Sequence, residues 1–149
     1  MIEKRLATKA FADLLATASG LPVGRGQKPA NTQPPYYILY SLDTQVSGAP
    51  FTDCNEDASL VWQITSVSGP NSAVISSAGY LDQAELMADK ARKAVLERNP
   101  VTRKWVNTLS VPGYRDMCRE LETEPGATSD PTDAIISYVQ RFRIDWTPA

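Results

Sequence analysis

Histidine is absent from the sequence. Without an imidazole there is no Ser-His-Asp or Cys-His nucleophile system, and no His-ligated zinc. Cysteine is nearly as scarce: Cys54 and Cys118 are the two present, too few for a disulfide framework or a thiolate metal site. Both are expected to be free thiols, one in a loop and one in a regular element. No stretch approaches the roughly 18 consecutive apolar residues of a membrane span. The opening MIEKRLATKAFADLLATASG scatters its charges, so it reads as an amphipathic helix and not as a signal peptide. An excess of either charge is missing too. Fifteen basic residues face 17 acidic ones, for a net charge of -2 and a sequence pI near 5.1. That balance argues against a dedicated, sequence-specific nucleic-acid binder or a membrane-surface protein.

Two segments imitate ligand-binding loops without completing them. Residues 20–35 (GLPVGRGQKPANTQPP) hold three glycines and four prolines, with Arg25 and Lys28 and no acid. A long loop is expected there. A phosphate-binding loop needs G-x-x-x-x-G-K-[ST] between a strand and a helix. Here Gln27 separates Gly26 from Lys28, Pro29 follows, and the preceding segment is helical. A second expected loop, residues 43–58, carries Asp43, Asp53, Glu56 and Asp57 and no basic residue. Asp53, Asn55 and Asp57 copy the start of an EF-hand. Ala58 and Ile64 then stand where that loop requires glycine and glutamate, which excludes it. The remaining acids are spread over loops and helix faces as solubilising charge, with no sign of a convergent acid–base pair. No catalytic residue, cofactor or metal is expected.

What is present is patterning. Leu60–Ser68 (LVWQITSVS) is β-branched and aromatic, with Leu60, Trp62 and Ile64 on one side of a strand. After Gly69-Pro70 and a Ser/Gly-rich stretch to Gly79, the period changes from two to about 3.6. Leu81, Ala84, Ala88, Ala91 and Val95 then mark one stripe of a helix, widened by Met87 and Ala94. Because much of that stripe is alanine, the helix from Leu81 to Arg98 is expected to lie close on the Leu60/Trp62/Ile64 face. Asn99-Pro100 stops it. A first helix presents Ile2, Leu6, Ala10, Phe11, Leu14, Leu15 and Ala18 and ends before Gly20. Tyr36–Leu42 is a strand apolar on both faces, hence central or covered. Lys104–Val111 suggests a short strand, and 114–122 fits helix or strand equally. Residues 123–131 (TEPGATSDP) suggest the turn of a hairpin. In the final strand Ile136, Tyr138, Gln140, Phe142, Ile144 and Trp146 share one face, with Ser137, Arg141, Arg143 and Asp145 on the other. Twelve residues at ~3.3 Å each make it roughly 40 Å long. The expected fold is therefore α+β, a single domain over 1–149 with a mixed or antiparallel β-sheet and two helices packed on it.

This order, with PPYYILYSL (34–42), SLVWQITSVSG (59–69), YLDQAELMADKARKAVLERN (80–99) and YVQRFRIDWTP (138–148), resembles the tail terminator proteins of long-tailed, siphovirus-like bacteriophages. The likeness spans nearly the whole chain and is one of layout and hydrophobic pattern. It implies a virion structural protein, not an enzyme, that forms a homohexameric ring at the head-proximal end of the tail after assembly in the host cytoplasm. Such a ring caps the tail tube, stops its polymerisation and provides the surface that joins the head. The implied partners are copies of itself, the tail tube protein and a head–tail connector protein. A closed ring needs heterologous contacts between two different patches. Candidates are the basic Arg25/Lys28 loop, the acidic Asp53/Glu56/Asp57 loop and the outward Arg141 and Arg143. A head–tail connector or neck completion protein, and a cytoplasmic small-molecule-binding α+β domain, fit the same composition.

Overall fold

The residues with the strongest alternation form the middle of the sheet. In the computed structural model, which describes residues 1–47, 56–70, 79–130 and 135–149, seven elements follow in order. They are α1 (Lys4–Ser19), β1 (Val23–Arg25), β2 (Tyr36–Val46), β3 (Ala58–Ser68), α2 (Leu81–Leu96), β4 (Tyr114–Asp130) and β5 (Ile135–Pro148). Among the described residues the strands make one sheet in the order β1-β2-β3-β5-β4. β1 runs parallel to β2, and every other pairing is antiparallel. The fold is the expected α+β one.

One face of this sheet carries the core. Register sets Trp62 opposite Phe142, Leu60 opposite Ile144, and Ile64 opposite both Leu39 and Gln140. Leu60, Trp62, Ile64, Phe142, Ile144 and Trp146 are fully buried there. Both helices lie on this face. Phe11 of α1 stacks on Trp62 with ring centroids 5.0 Å apart, and the Trp62 indole donates to Thr8 Oγ1 at 3.0 Å. α2 buries Ala84, Met87, Ala88, Ala91, Ala94 and Val95, as its stripe requires. The small side chains let its backbone approach closely enough for two sheet residues to bond it. Tyr37 donates its hydroxyl to Met87 O at 2.6 Å, and Gln140 Nε2 donates to Ala88 O at 3.1 Å. Leu81, expected on the stripe, is 47% exposed at the first turn of α2. Thr8→Val should leave the buried Trp62 N–H without an acceptor and cost about 1–3 kcal/mol, read as a lower urea midpoint with unchanged slope.

The chain departs from sequence expectation in several further places. Residues 20–35 are not loop throughout, because Val23–Arg25 adds a short parallel strand against Tyr37–Leu39. The 43–58 loop is shorter than expected. β2 runs on to Val46, opposite Ala58, and Asp53 and Cys54 fall outside the described residues. Lys104–Val111 is no strand. It contributes isolated bridges, Arg98 with Trp105 and Val111 with Tyr114, and is tied to α2 by Asn107 Nδ2 donating to Ala94 O at 3.0 Å. Those bridges also explain why α2 stops at Leu96 instead of Arg98. Finally, 114–122 is strand, and of the turn expected at 123–131 residues 123–130 are absorbed into β4, Pro131 falling outside the described residues. Pro125 is tolerated because β4 is an edge strand, with register irregularities on both sides of Thr123. The hairpin expected between the last two strands is present as the β4–β5 pair, Asp130 opposite Ile135.

Candidate functional site

The helix-bearing face is filled by the core, so the surfaces left for function are the sheet's open face, its edges and the loop ends. Along the edge beyond β1, Arg25 Nη2 donates to Arg5 O at 3.3 Å, and the Lys4 ammonium donates to Leu42 O. A shallow cavity of about 410 Å³ lies between them, lined by Lys4, Arg5, Thr8, Arg25, Gly26, Leu39 and Ser41. The fold thus adds the start of α1 to Arg25. Lys28 is exposed in the segment that follows. The β1 ladder reaches only Tyr37–Leu39 of β2, so the strand's outer half, from Ser41 to Val46, has no ladder partner on that side among the described residues. All of Ser41 to Val46 is exposed.

The acidic tip stands elsewhere. At the β2–β3 reversal the Ser47 N–H donates to Asp57 O at 2.9 Å. Asp57 is exposed and Glu56 half-buried. Asp57 and Asp145 line a common cavity of about 300 Å³ with Val46, Ala58 and Met117. Arg25 sits opposite Leu39, whereas the tip follows Val46. Seven residues of strand therefore separate the two patches, roughly 23 Å. A single subunit therefore cannot join them to each other along that strand.

Arg141 and Arg143 project from the open face, as their alternation requires, and both already have partners within the subunit. Arg141 Nε donates to Gln63 Oε1 at 3.3 Å. Arg143 Nη2 lies 2.6 Å from Glu120 Oε1, and its Nε is 3.5 Å from Asp145. The charge of Arg143 is largely compensated by Glu120 and Asp145, which makes it a weaker interface candidate than the two loops, whereas Arg141 is held by a neutral amide and keeps its charge.

A fourth cluster has no counterpart in the sequence expectations. Behind the end of α2, the loop 97–113 folds back so that Trp105 meets two guanidiniums, Arg98 at 4.0 Å and Arg119 at 4.7 Å from its ring centroid. Arg119 is buried, its side chain 1% exposed, and it forms an ion pair with Asp116 at 2.7 Å. Its Nη1 donates to Val95 O and Asn107 O, capping the last turn of α2 from the side. Burial pushes the Arg119 guanidinium below its usual range, Asp116 opposes that shift, and nearby Arg98 adds to it. These groups line a pocket of about 650 Å³ together with Arg103, Lys104 and Arg115. Sequence reasoning missed it because its residues are drawn from a helix end, a loop and an edge strand with no common spacing.

Among the described residues, no group of three acidic or cysteine side chains is placed to hold a metal ion, and no helix is long and apolar enough to cross a membrane. No protein-family model matches the chain, and no curated protein matches it. Solved structures do. The chain is similar to one from the "Virion of native gene transfer agent (GTA) particle", at 14% identity and a TM-score of 0.56, over 94% of this chain and 93% of that one. At that identity the likeness is one of fold.

Proposed function

We propose that this chain is a virion structural protein of a phage-like particle, acting by self-assembly and without catalysis. In its finer form, it is a tail-terminator subunit. A closed ring of copies, hexameric in that family, would cap the tail tube at its head-proximal end, stop tube growth and offer the surface to which the head–tail connector binds. The observation that carries the proposal is the near end-to-end match in fold with a chain of a virion particle. The charge layout supports it. A ring joins two different patches head to tail, and this subunit presents a basic edge around Arg25 and an acidic tip at Glu56 and Asp57 on separate parts of its surface. Complementary charge of that kind sets register and excludes wrong partners more than it adds affinity.

Each exposed pair across such an interface is worth ~1 kcal/mol or less and is weakened by salt. A ring repeats the contact at every interface, so assembly feels the sum while the subunit fold feels almost nothing. Replacing Asp53, Glu56 and Asp57 together by lysine should give a folded monomer that forms rings poorly. Adding Arg25→Glu and Lys28→Glu should restore part of the assembly. Sizing chromatography at low and high salt reads both, with circular dichroism as the folding control. Rings that persist in the triple-lysine variant would remove these loops from the interface.

A further inference from the structure

We infer that the pocket walled by Trp105, Arg98, Arg103, Lys104, Arg115 and Arg119 is a carboxylate-binding site that receives an acidic side chain from a partner polypeptide. This goes beyond the assembly role and stands whether or not the chain forms a ring. Five cations converge there on one acid, Asp116, in a protein whose net charge is -2. Arg98, Arg103, Lys104 and Arg115 are exposed and keep their hydration, and together with Arg119 they give the pocket a positive field that favours an anion. Arg98 and Arg119 both lie against the Trp105 ring, and they repel each other across it. Arg119 supplies the more specific sign. Its Nε and Nη1 are fully used, but Nη2 is buried with no hydrogen-bond partner. A buried guanidinium N–H left open is rare in a folded protein and calls for an acceptor. A carboxylate oxygen supplies such an acceptor, and its bond to a guanidinium is charge-assisted.

The neighbourhood favours a polypeptide acid over a nucleic acid. Backbone binding to DNA or RNA wants cations strung along a groove, so that successive phosphates are neutralised. Here the cations gather at one point, and Met117 marks their boundary. On its other side lies the cavity that holds Asp57 and Asp145. A polyanion leaving the pocket in that direction would meet those carboxylates, whereas a single Glu or Asp on an otherwise neutral segment would not.

Trp105 makes the proposal measurable. Trp62 and Trp146 are fully buried in the core, whereas Trp105 is half-buried at the pocket, so its indole N–H resonance is a local probe. The full chain, labelled with nitrogen-15, is titrated at low salt with a glycine-flanked glutamate peptide, the matching glutamine peptide and a short oligothymidylate. The glutamate peptide should shift the Trp105 indole saturably and leave those of Trp62 and Trp146 in place, and the glutamine peptide should shift none. Arg98→Gln and Arg115→Gln, both at exposed positions, should each weaken the response roughly tenfold while the rest of the spectrum confirms the fold, the scale of one charge-assisted hydrogen bond. An unmoved Trp105 signal, or an equal response in the variants, would overturn the site. Tighter binding of the oligothymidylate than of the peptide would overturn the carboxylate assignment in favour of phosphate.

Discussion

Ala91→Arg should yield no soluble folded protein. Ala91 is fully buried in the stripe that α2 lays on the sheet and belongs to the same core as Trp62, Phe142 and Met87. The close approach of α2 is set by alanine: backbone carbonyls of Met87 and Ala88 are near enough to accept bonds from Tyr37 and Gln140. An arginine there must either push the helix off the sheet, breaking those bonds, or bury a guanidinium with no acid assigned to it. Overpacking alone costs about 1–3 kcal/mol, and an uncompensated buried charge adds several more. Together these approach the whole stability of a domain this size, about 5–15 kcal/mol. Ala88→Arg should be milder, because Glu124 accepts from Gln140 at 2.7 Å beside it and offers a partner. Soluble yield and thermal unfolding of the two variants check the ranking. A melting temperature for Ala91→Arg within a few degrees of the parent would refute the placement of α2.

The second large effect belongs to Arg119. Arg119→Met removes at a stroke the donors to Val95 O and Asn107 O and the partner of Asp116. Each acceptor left buried keeps its desolvation cost, so the expected loss is about 3–5 kcal/mol. At roughly 2–4 °C per kcal/mol for a domain near this size, the melting temperature should fall by ~10 °C. The size of the effect reflects what is left unpaired and not what the ion pair contributes. Arg119→Met combined with Asp116→Leu should therefore recover part of the loss. Denaturant unfolding of both variants separates the cases. A double variant no better than the single would mean that Arg119 acts mainly through the two carbonyls.

Where a segment was long and strongly periodic, its structure was legible in the sequence. Leu60, Trp62 and Ile64 faced the core as their alternation required, and so did Phe142, Ile144 and Trp146. The alanine stripe of α2 and the stop of α1 at Gly20, whose φ of 72° is the left-handed C-terminal conformation, were legible for the same reason. Short elements were not. Val23–Arg25 contains a glycine and is held by its parallel partner, so nothing local announces it. In KWVNTLSV the alternation is real but comes from another source. Leu109 and Val111 are buried anchors of the loop, while Asn107 and Arg119 supply the bonds a ladder would have made. Pro125-Gly126 looked like a turn because those residues usually make one. In β4 they mark an irregular edge, and the strand runs on to Asp130.

The candidate surfaces divide in the same way. The charges of Arg25, Lys28, Glu56 and Asp57 were visible in the sequence, and the structure adds their distance from one another. That Lys4 and Arg5 would stand beside Arg25 depended on α1 packing over the β1 edge. The Arg119 pocket depended on three separate segments meeting around Trp105, and no spacing rule reaches that far.

The proposed role as a ring-forming virion component is tested most directly by electron microscopy of the purified chain, alone and mixed with the tail tube protein of its own particle. The expected result is closed rings of one diameter, and tubes capped at one end by such a ring. Single subunits at every concentration, with tubes that stay uncapped and keep growing, would contradict it.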